Sequence, residues 1–375
     1  MNGPIQWEEN MTERRRFLTY AAGLSAAFGG MRAVSGNDDV SRDTTFSLSD
    51  RARNLLTAFR IQYPILQAPV GYSSGPDLVI AVSKAGCLGS MALTRASPEE
   101  AKERVKKVLA ATNNPFVVNY ILAVEAKSLP AALEAGAPII QFSWGIPDRE
   151  ITSLVRKAGA RFGVQVGSAN GAKRAFDAGA EYVVCQGVEA GGHVQGTMPL
   201  MEALPAVLAI AGDKPVFAAG GIANGRGIRK VLDAGASGAM LGTRFVATQE
   251  SYAHPDYKEA LVRADSDQTV LTVCFDGGWT NATHRCVRNS TFINWEAAGC
   301  PPSGKRPGEG DVLGKRPDGT PVLRYTGASP SKAIVGDRIP ECAIFAGLGV
   351  GQVKDLPTVE VLIKRLWQEC QAATV

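Results

Sequence analysis

Lys157 to Gln186 reads KAGARFGVQVGSANGAKRAFDAGAEYVVCQ. One phrase occurs in it twice: an amphipathic stretch, then Ala-Gly-Ala, then a largely apolar run. In each copy the glycine stands where a helix C-terminus calls for a left-handed residue. Gly159 and Gly179 are twenty residues apart, close to the length of a minimal βα unit. The run Tyr182-Val183-Val184 is continuously apolar, as a strand buried on both faces should be. The phrase recurs at Lys84-Ala85-Gly86-Cys87, Glu134-Ala135-Gly136-Ala137 and Asp233-Ala234-Gly235-Ala236.

Extending the pattern in both directions gives eight expected strands: Pro64–Pro69, Cys87–Ala92, Pro115–Tyr120, Pro138–Phe142, Arg161–Val166, Glu181–Gln186, Pro215–Ala219 and Ser237–Gly242. Helical stretches such as Glu99–Ala111 and Met201–Ala211 lie between them. Strict strand–helix alternation implies a parallel sheet, and eight such units imply a closed α/β barrel, the (β/α)8 TIM barrel. An open doubly wound sheet would carry its dinucleotide fingerprint after the first strand. That position holds Gln67-Ala68-Pro69-Val70-Gly71-Tyr72, which lacks GxGxxG. The barrel is expected to occupy residues 51–249. From about Gln249 the rhythm stops, and Cys300–Gly319 is a long turn-rich loop. Residues 250–350 are expected to form a C-terminal cap region over the barrel mouth. Leu356–Cys370 reads as an amphipathic closing helix within 351–375.

Composition sets the outer limits. The chain has 375 residues, 45% hydrophobic and 20% charged, an ordinary balance for a globular protein with a sizeable core. Its net charge of +4 arises from 40 basic and 36 acidic residues. Without a basic run or basic-aromatic patch, nucleic acid is not an expected partner. No apolar stretch past the N-terminus nears the ~20 residues of a membrane span. The seven cysteines form no CxxC pair or metal spacing; a disulfide among Cys274, Cys286 and Cys300 is open if the protein is exported. The sequence leaves a homodimer open as well.

The N-terminus points to export. Glu13-Arg14-Arg15-Arg16-Phe17-Leu18-Thr19 precedes the Ala- and Gly-rich run Tyr20–Met31, the pattern of a twin-arginine signal. Ala33-Val34-Ser35 offers a small-residue cleavage site. Residues 1–50 are therefore read as signal and linker. A periplasmic destination is expected, with a cytoplasmic one as the alternative.

In a barrel, ligands meet the C-terminal ends of the strands. Strands seven and eight end in Ala219-Gly220-Gly221-Ile222 and Met240-Leu241-Gly242-Thr243. Bare backbone N–H groups there can converge on an anion, and Thr243 adds a hydroxyl. Strands three, five and six carry the amides Asn119, Gln165 and Gln186, which need polar partners. Past strand six comes Ala190-Gly191-Gly192-His193, with one of only three histidines in the chain. Histidine exchanges protons near neutral pH. His254 and His284 read as surface or structural residues. HExxH, metal-spaced carboxylates and a Walker loop are all missing from the sequence, so no metal is expected.

These residues resemble the nitronate monooxygenase family, formerly called 2-nitropropane dioxygenases. The resemblance is carried by Gln67-Ala68-Pro69, Pro115–Asn119, Phe142-Ser143-Trp144-Gly145-Ile146-Pro147, Gln186–His193, Gly220-Gly221-Ile222 and Leu241–Phe245. It implies an FMN-dependent enzyme that uses O2 to convert alkyl nitronates, or nitroalkanes, to a carbonyl compound and nitrite. Ala68, Pro69 and Val70 would lie against the flavin, with Asn119 and Gln186 binding it. Gly191, Gly220, Gly221, Met240, Leu241, Gly242 and Thr243 would line the rest of the FMN site. His193 matches the family's active-site histidine, which holds the nitronate or removes a proton from the nitroalkane. Val70 stands where many members carry Met. Flavin-dependent enoyl-thioester reductases that use NAD(P)H share the GGH step and form the alternative. A non-catalytic flavin carrier is a second.

Overall fold

The five predicted helix-ending glycines take up the conformation they were read for. Gly86, Gly136, Gly159, Gly179 and Gly235 have φ between +70° and +96°, a region that penalises any Cβ. The computed structural model describes residues 46–374, so the twin-arginine stretch lies outside them. Strands β1 (Ile65–Gln67), β2 (Gly89–Ala92), β3 (Phe116–Ile121), β4 (Ile139–Ser143), β5 (Arg161–Val166) and β6 (Tyr182–Gln186) are followed by a two-residue strand β7 (Gly192–His193). Then come β8 (Val216–Ala219) and β9 (Gly238–Leu241). Apart from β7 these form one parallel sheet in the order β1-β9-β8-β6-β5-β4-β3-β2. Leu66 pairs with Met240 on one side and bridges Leu88 on the other. The sheet therefore closes nearly completely into the expected (β/α)8 barrel, and each predicted strand falls within a few residues of an observed one.

Alternation along the strands divides the core. Leu66, Leu88, Val117, Ile139, Tyr182, Val184, Phe217 and Met240 cluster together inside the barrel. Ile65, Val118, Ile140, Val183, Ala239 and Leu241 face the surrounding helices. The helix Asp50–Phe59, which no repeat announced, starts on Ser49, whose side chain accepts the Ala52 N–H. It packs Leu55 and Phe59 into the inner cluster, and Phe59 meets Tyr182 at the start of β6 edge-on at 5.5 Å. Each such buried side chain contributes roughly 1.5–3 kcal/mol. This helix plugs the N-terminal end of the barrel and leaves the C-terminal strand ends open to ligands.

Beyond the barrel, β10 (Thr269–Thr272) and β11 (His284–Val287) pair antiparallel, and β11 also pairs with β7, placing His284 opposite His193. A hairpin follows, β12 (Val312–Lys315) with β13 (Pro321–Leu323). The last helix, Val359–Ala372, buries Leu362, Ile363 and Leu366 in the outer core. Fully buried Arg244, just past β9, reaches Asp355 at 2.8 Å, and Asp355 also binds Arg365 on that helix at 2.6 Å. All seven cysteines are free, six buried and Cys300 exposed, so none of Cys274, Cys286 and Cys300 is paired. No helix among the described residues is long and apolar enough to cross a membrane.

Candidate active site

The C-terminal strand ends enclose a cavity of about 490 Å3, within the usual range for cofactor pockets of about 300–1,000 Å3. Ala68, Pro69 and Val70 past β1 line it, with Asn119, Gln186, Gly191, His193, Gly220, Gly221, Met240, Gly242 and Thr243. Among the residues read as ligand-binding, Leu241 alone is outside this lining. Met240 points into the barrel, so its successor must point out, and Leu241 belongs to the outer core. Its backbone carbonyl accepts the Ala68 N–H at 2.8 Å.

The amides divide into two kinds. Gln141 Nε2 donates to Asn119 Oδ1 at 3.1 Å, which leaves the Asn119 Nδ2 donor beside the cavity with only Ser143 Oγ, at 3.5 Å. Asn119 is thus set to recognise an acceptor. Gln186 is already engaged: its Nε2 donates to the His193 carbonyl at 3.2 Å, and its Oε1 accepts from Gln195 N at 2.9 Å. The side chain read as a cofactor ligand therefore holds the histidine loop in place. Gly196 approaches so closely that a Cβ would lie 2.1 Å from the Gln186 carbonyl oxygen. Glu189 accepts from Leu200 N and so serves the start of helix Leu200–Ala211. Gln165 donates to Gln195 Oε1 at 3.3 Å.

At the anion end, Gly220 and Gly221 have φ of +132° and +68°, which exposes backbone N–H groups as predicted for glycine. Thr243 Oγ1 accepts from Gly347 N at 3.0 Å, so the C-terminal loop is fastened at this point. Ala68, Ala219 and Gly242 leave one wall almost free of side chains.

His193 lies in an aromatic cluster. Trp279 stacks on it at 4.6 Å and 22°, Phe345 meets it at 5.5 Å, and His284 is 5.7 Å away. Its Nε2 is buried and has no hydrogen-bond partner among the described residues. Burial, reinforced by His284 and Arg95, pushes its pKa from 6.5 down to about 3, so the ring is neutral at physiological pH. His284 is structural, as read: its Nε2 accepts from Phe275 N and its Nδ1 lies 2.9 Å from the Ala282 carbonyl. His254 begins helix Pro255–Arg263, its Nδ1 accepting from Asp256 N.

Three comparisons agree with this arrangement. A family model described as nitronate monooxygenase matches residues 53–132 and 122–369. The nitronate monooxygenase of Pseudomonas aeruginosa is 32% identical across 84% of this chain and 97% of its own length. The chain belongs to the nitronate monooxygenase family. Among solved structures, nitroalkane oxidase from Streptomyces ansochromogenes aligns with a TM-score of 0.68 at 30% identity, covering 84% of this chain and 97% of that one. FabK from Thermotoga maritima aligns with a TM-score of 0.69 at 28% identity, covering 85% and 96%. The nitronate monooxygenases are flavin-using oxidoreductases that act on small molecules, and this chain is an enzyme of that kind.

Sequence reading missed several residues of the site. Trp279 and Phe345 come from the region without strand–helix rhythm, as do the rim residues Arg316 and Thr326, and Gln195 lies in the loop after β6. A signal for Trp279 did exist: Gly277-Gly278 directly before a tryptophan marks an exposed turn that carries a large apolar side chain.

Proposed function

We propose that the cavity holds FMN and that the enzyme oxidises alkyl nitronates with O2 to a carbonyl compound and nitrite. The residues present suit the cofactor. The bare wall of Ala68, Pro69, Val70 and Gly242 would admit a flat ring, and Asn119 Nδ2 would donate to an acceptor on its edge. Gly220, Gly221 and Thr243 would take the phosphate. When bound, the flavin supplies the electron-transfer chemistry and the reaction with O2.

The single observation that carries the reading is the buried, unpartnered Nε2 of His193. A buried polar atom left without a partner costs about 1–3 kcal/mol, and a ligand group at that place would recover it. A neutral imidazole can donate an N–H to a nitronate oxygen. With a pKa near 3 it is a poor match for removing a proton from a neutral nitroalkane, since efficient general bases titrate near the working pH. Nitronate is therefore the favoured substrate, and His193 holds it. The rim residues Arg95, Arg104 and Arg316 face only one lining carboxylate, Glu100, which draws anions toward the mouth.

Anaerobic mixing of the purified holoprotein tests the assignment. Propionate 3-nitronate should bleach the flavin, and NADPH should not. Fast bleaching by NADPH with none by the nitronate would replace this reading by the enoyl-thioester reductase. Protein that neither retains nor takes up FMN would remove the cofactor assignment.

A further inference from the structure

Trp279 is half-buried, on a loop that is otherwise exposed, and its indole covers one face of His193. It also meets Trp144 edge-to-face at 4.8 Å. Trp144 has φ of +57°, a conformation that costs a bulky residue about 1–2 kcal/mol. Its N–H donates to Gln195 Oε1 at 3.1 Å, so the strained turn is held in place. Strain of this kind persists where the surroundings over-determine it, often at functional sites.

The loop that bears Trp279 is firm at its base and adjustable at its tip. Asp276, buried, pairs with buried Arg306 at 2.8 Å, and its Oδ2 accepts from Asn281 N at 3.1 Å. Between these anchors lie Gly277 and Gly278, the latter with φ of +91°. At the tip, Arg95 donates to the Gly278 carbonyl at 3.1 Å across the cavity mouth. His193 Nε2 is buried, in a ring that Trp279 covers on one face while itself resting on Trp144. A ligand group that reaches this atom must first uncover it, and Trp279 is the ring stacked on the imidazole.

We propose that Trp279 is the specificity-determining residue of this site, a gate braced by Trp144 that admits only nitronates with short, unbranched substituents to His193. The size limit rests on the nitronate assignment, whereas the gating of His193 does not. Opening moves the indole off the imidazole by rotation at Gly277-Gly278 while the Asp276–Arg306 pair stays fixed. Closing again excludes water around the bound anion, which strengthens the polar contacts made to it.

Two measurements on the holoprotein decide this. The first follows carbethoxylation of His193 by diethylpyrocarbonate, located by mass spectrometry, with His254 as internal reference. Trp279→Ala should react about tenfold faster at His193 than the unmodified enzyme, and Trp279→Phe should stay close to it. The second compares kcat/KM for ethylnitronate with that for the nitronate of phenylnitromethane. The aryl-to-ethyl ratio should rise about tenfold or more in Trp279→Ala and be largely restored in Trp279→Phe, with flavin content unchanged. Unaltered carbethoxylation in Trp279→Ala overturns the gate, and an unaltered ratio overturns its role in specificity. An unmodified enzyme that turns over neither nitronate refutes the functional reading and with it the size limit, while carbethoxylation still decides the gate.

Discussion

The barrel and the region from 250 to 350 face the same cavity but are assembled by opposite means. Most barrel strands pair with the strand one βα unit away, and the closing contact joins Leu66 to Leu88. Their backbone N–H and C=O groups are met within the ladder, and most of the side chains between are apolar, with amides such as Asn119 and Gln186 toward the strand ends. The later region is joined by distant contacts. Here β11 pairs with β7, Arg285 Nη2 donates to the Val188 carbonyl at 3.0 Å, and Tyr257 Oη donates to the Phe345 carbonyl at 2.7 Å. Buried arginines hold it together: Arg306 on Asp276, and Arg324 between Asp311 and Glu341. The barrel supplies rigid strand ends for a cofactor, and the cap brings Trp279 and Phe345 against His193.

The sharpest way to break this contrast is to remove a cap carboxylate. Asp276→Ala leaves Arg306 buried without its counter-charge, a change that typically costs about 3–5 kcal/mol. Because β11 stitches the cap to the loop after β6, the loss is expected in the single unfolding transition of the whole body, read as a lower urea midpoint. An unchanged midpoint, with faster hydrogen exchange confined to residues 273–283, would mean that the cap opens on its own. Next in size is the site itself. Loss of the N–H that His193 gives to the anion should lower nitronate turnover in His193→Asn by about 10²-fold, close to 2.7 kcal/mol, with the flavin still bound because its proposed contacts lie on the barrel. Turnover near the original rate would remove His193 from the chemistry.

The same contrast explains what could be read in advance. Barrel units obey local rules: a glycine cap, an apolar run, a strand end. Five triplets sufficed to find the rhythm, and the Gly220-Gly221 and Gly242-Thr243 ends could be placed beside Ala68-Pro69 and His193 without coordinates. Period-two alternation was available too, and applying it would have sent Leu241 outward once Met240 was placed inward. The duty of Gln186 was hidden, because its partners Gln195 and the His193 carbonyl are fixed only once the loop folds back. Trp279 and Phe345 were hidden for a stronger reason. They reach the cavity through pairings between residues some ninety positions apart, such as His284 with His193, and no local pattern encodes such a pairing.

The smallest effect distinguishes the two regions by acid sensitivity. The chain's three histidines are His193, His254 and His284, and none lies on a barrel strand. Burial holds His193 down at about 3 from 6.5, and His284 is lowered chiefly by burial as well. In the unfolded chain the His193 ring takes up a proton as pH falls through about 6.5, whereas in the folded protein it stays neutral until about 3. Its contribution to stability is therefore intact above about 6.5 and declines as pH drops toward 3, and the lowered His284 acts in the same direction. For His193 alone, the step from pH 6.5 to 5.5 should remove about 1 kcal/mol. Urea midpoints of flavin-free protein at the two pH values measure it, and His193→Asn should lose less stability over that step by the same amount. Equal losses in the two proteins would mean that water reaches the imidazole in solution, and the closed contact between Trp279 and His193 would then not be the resting arrangement of the cap.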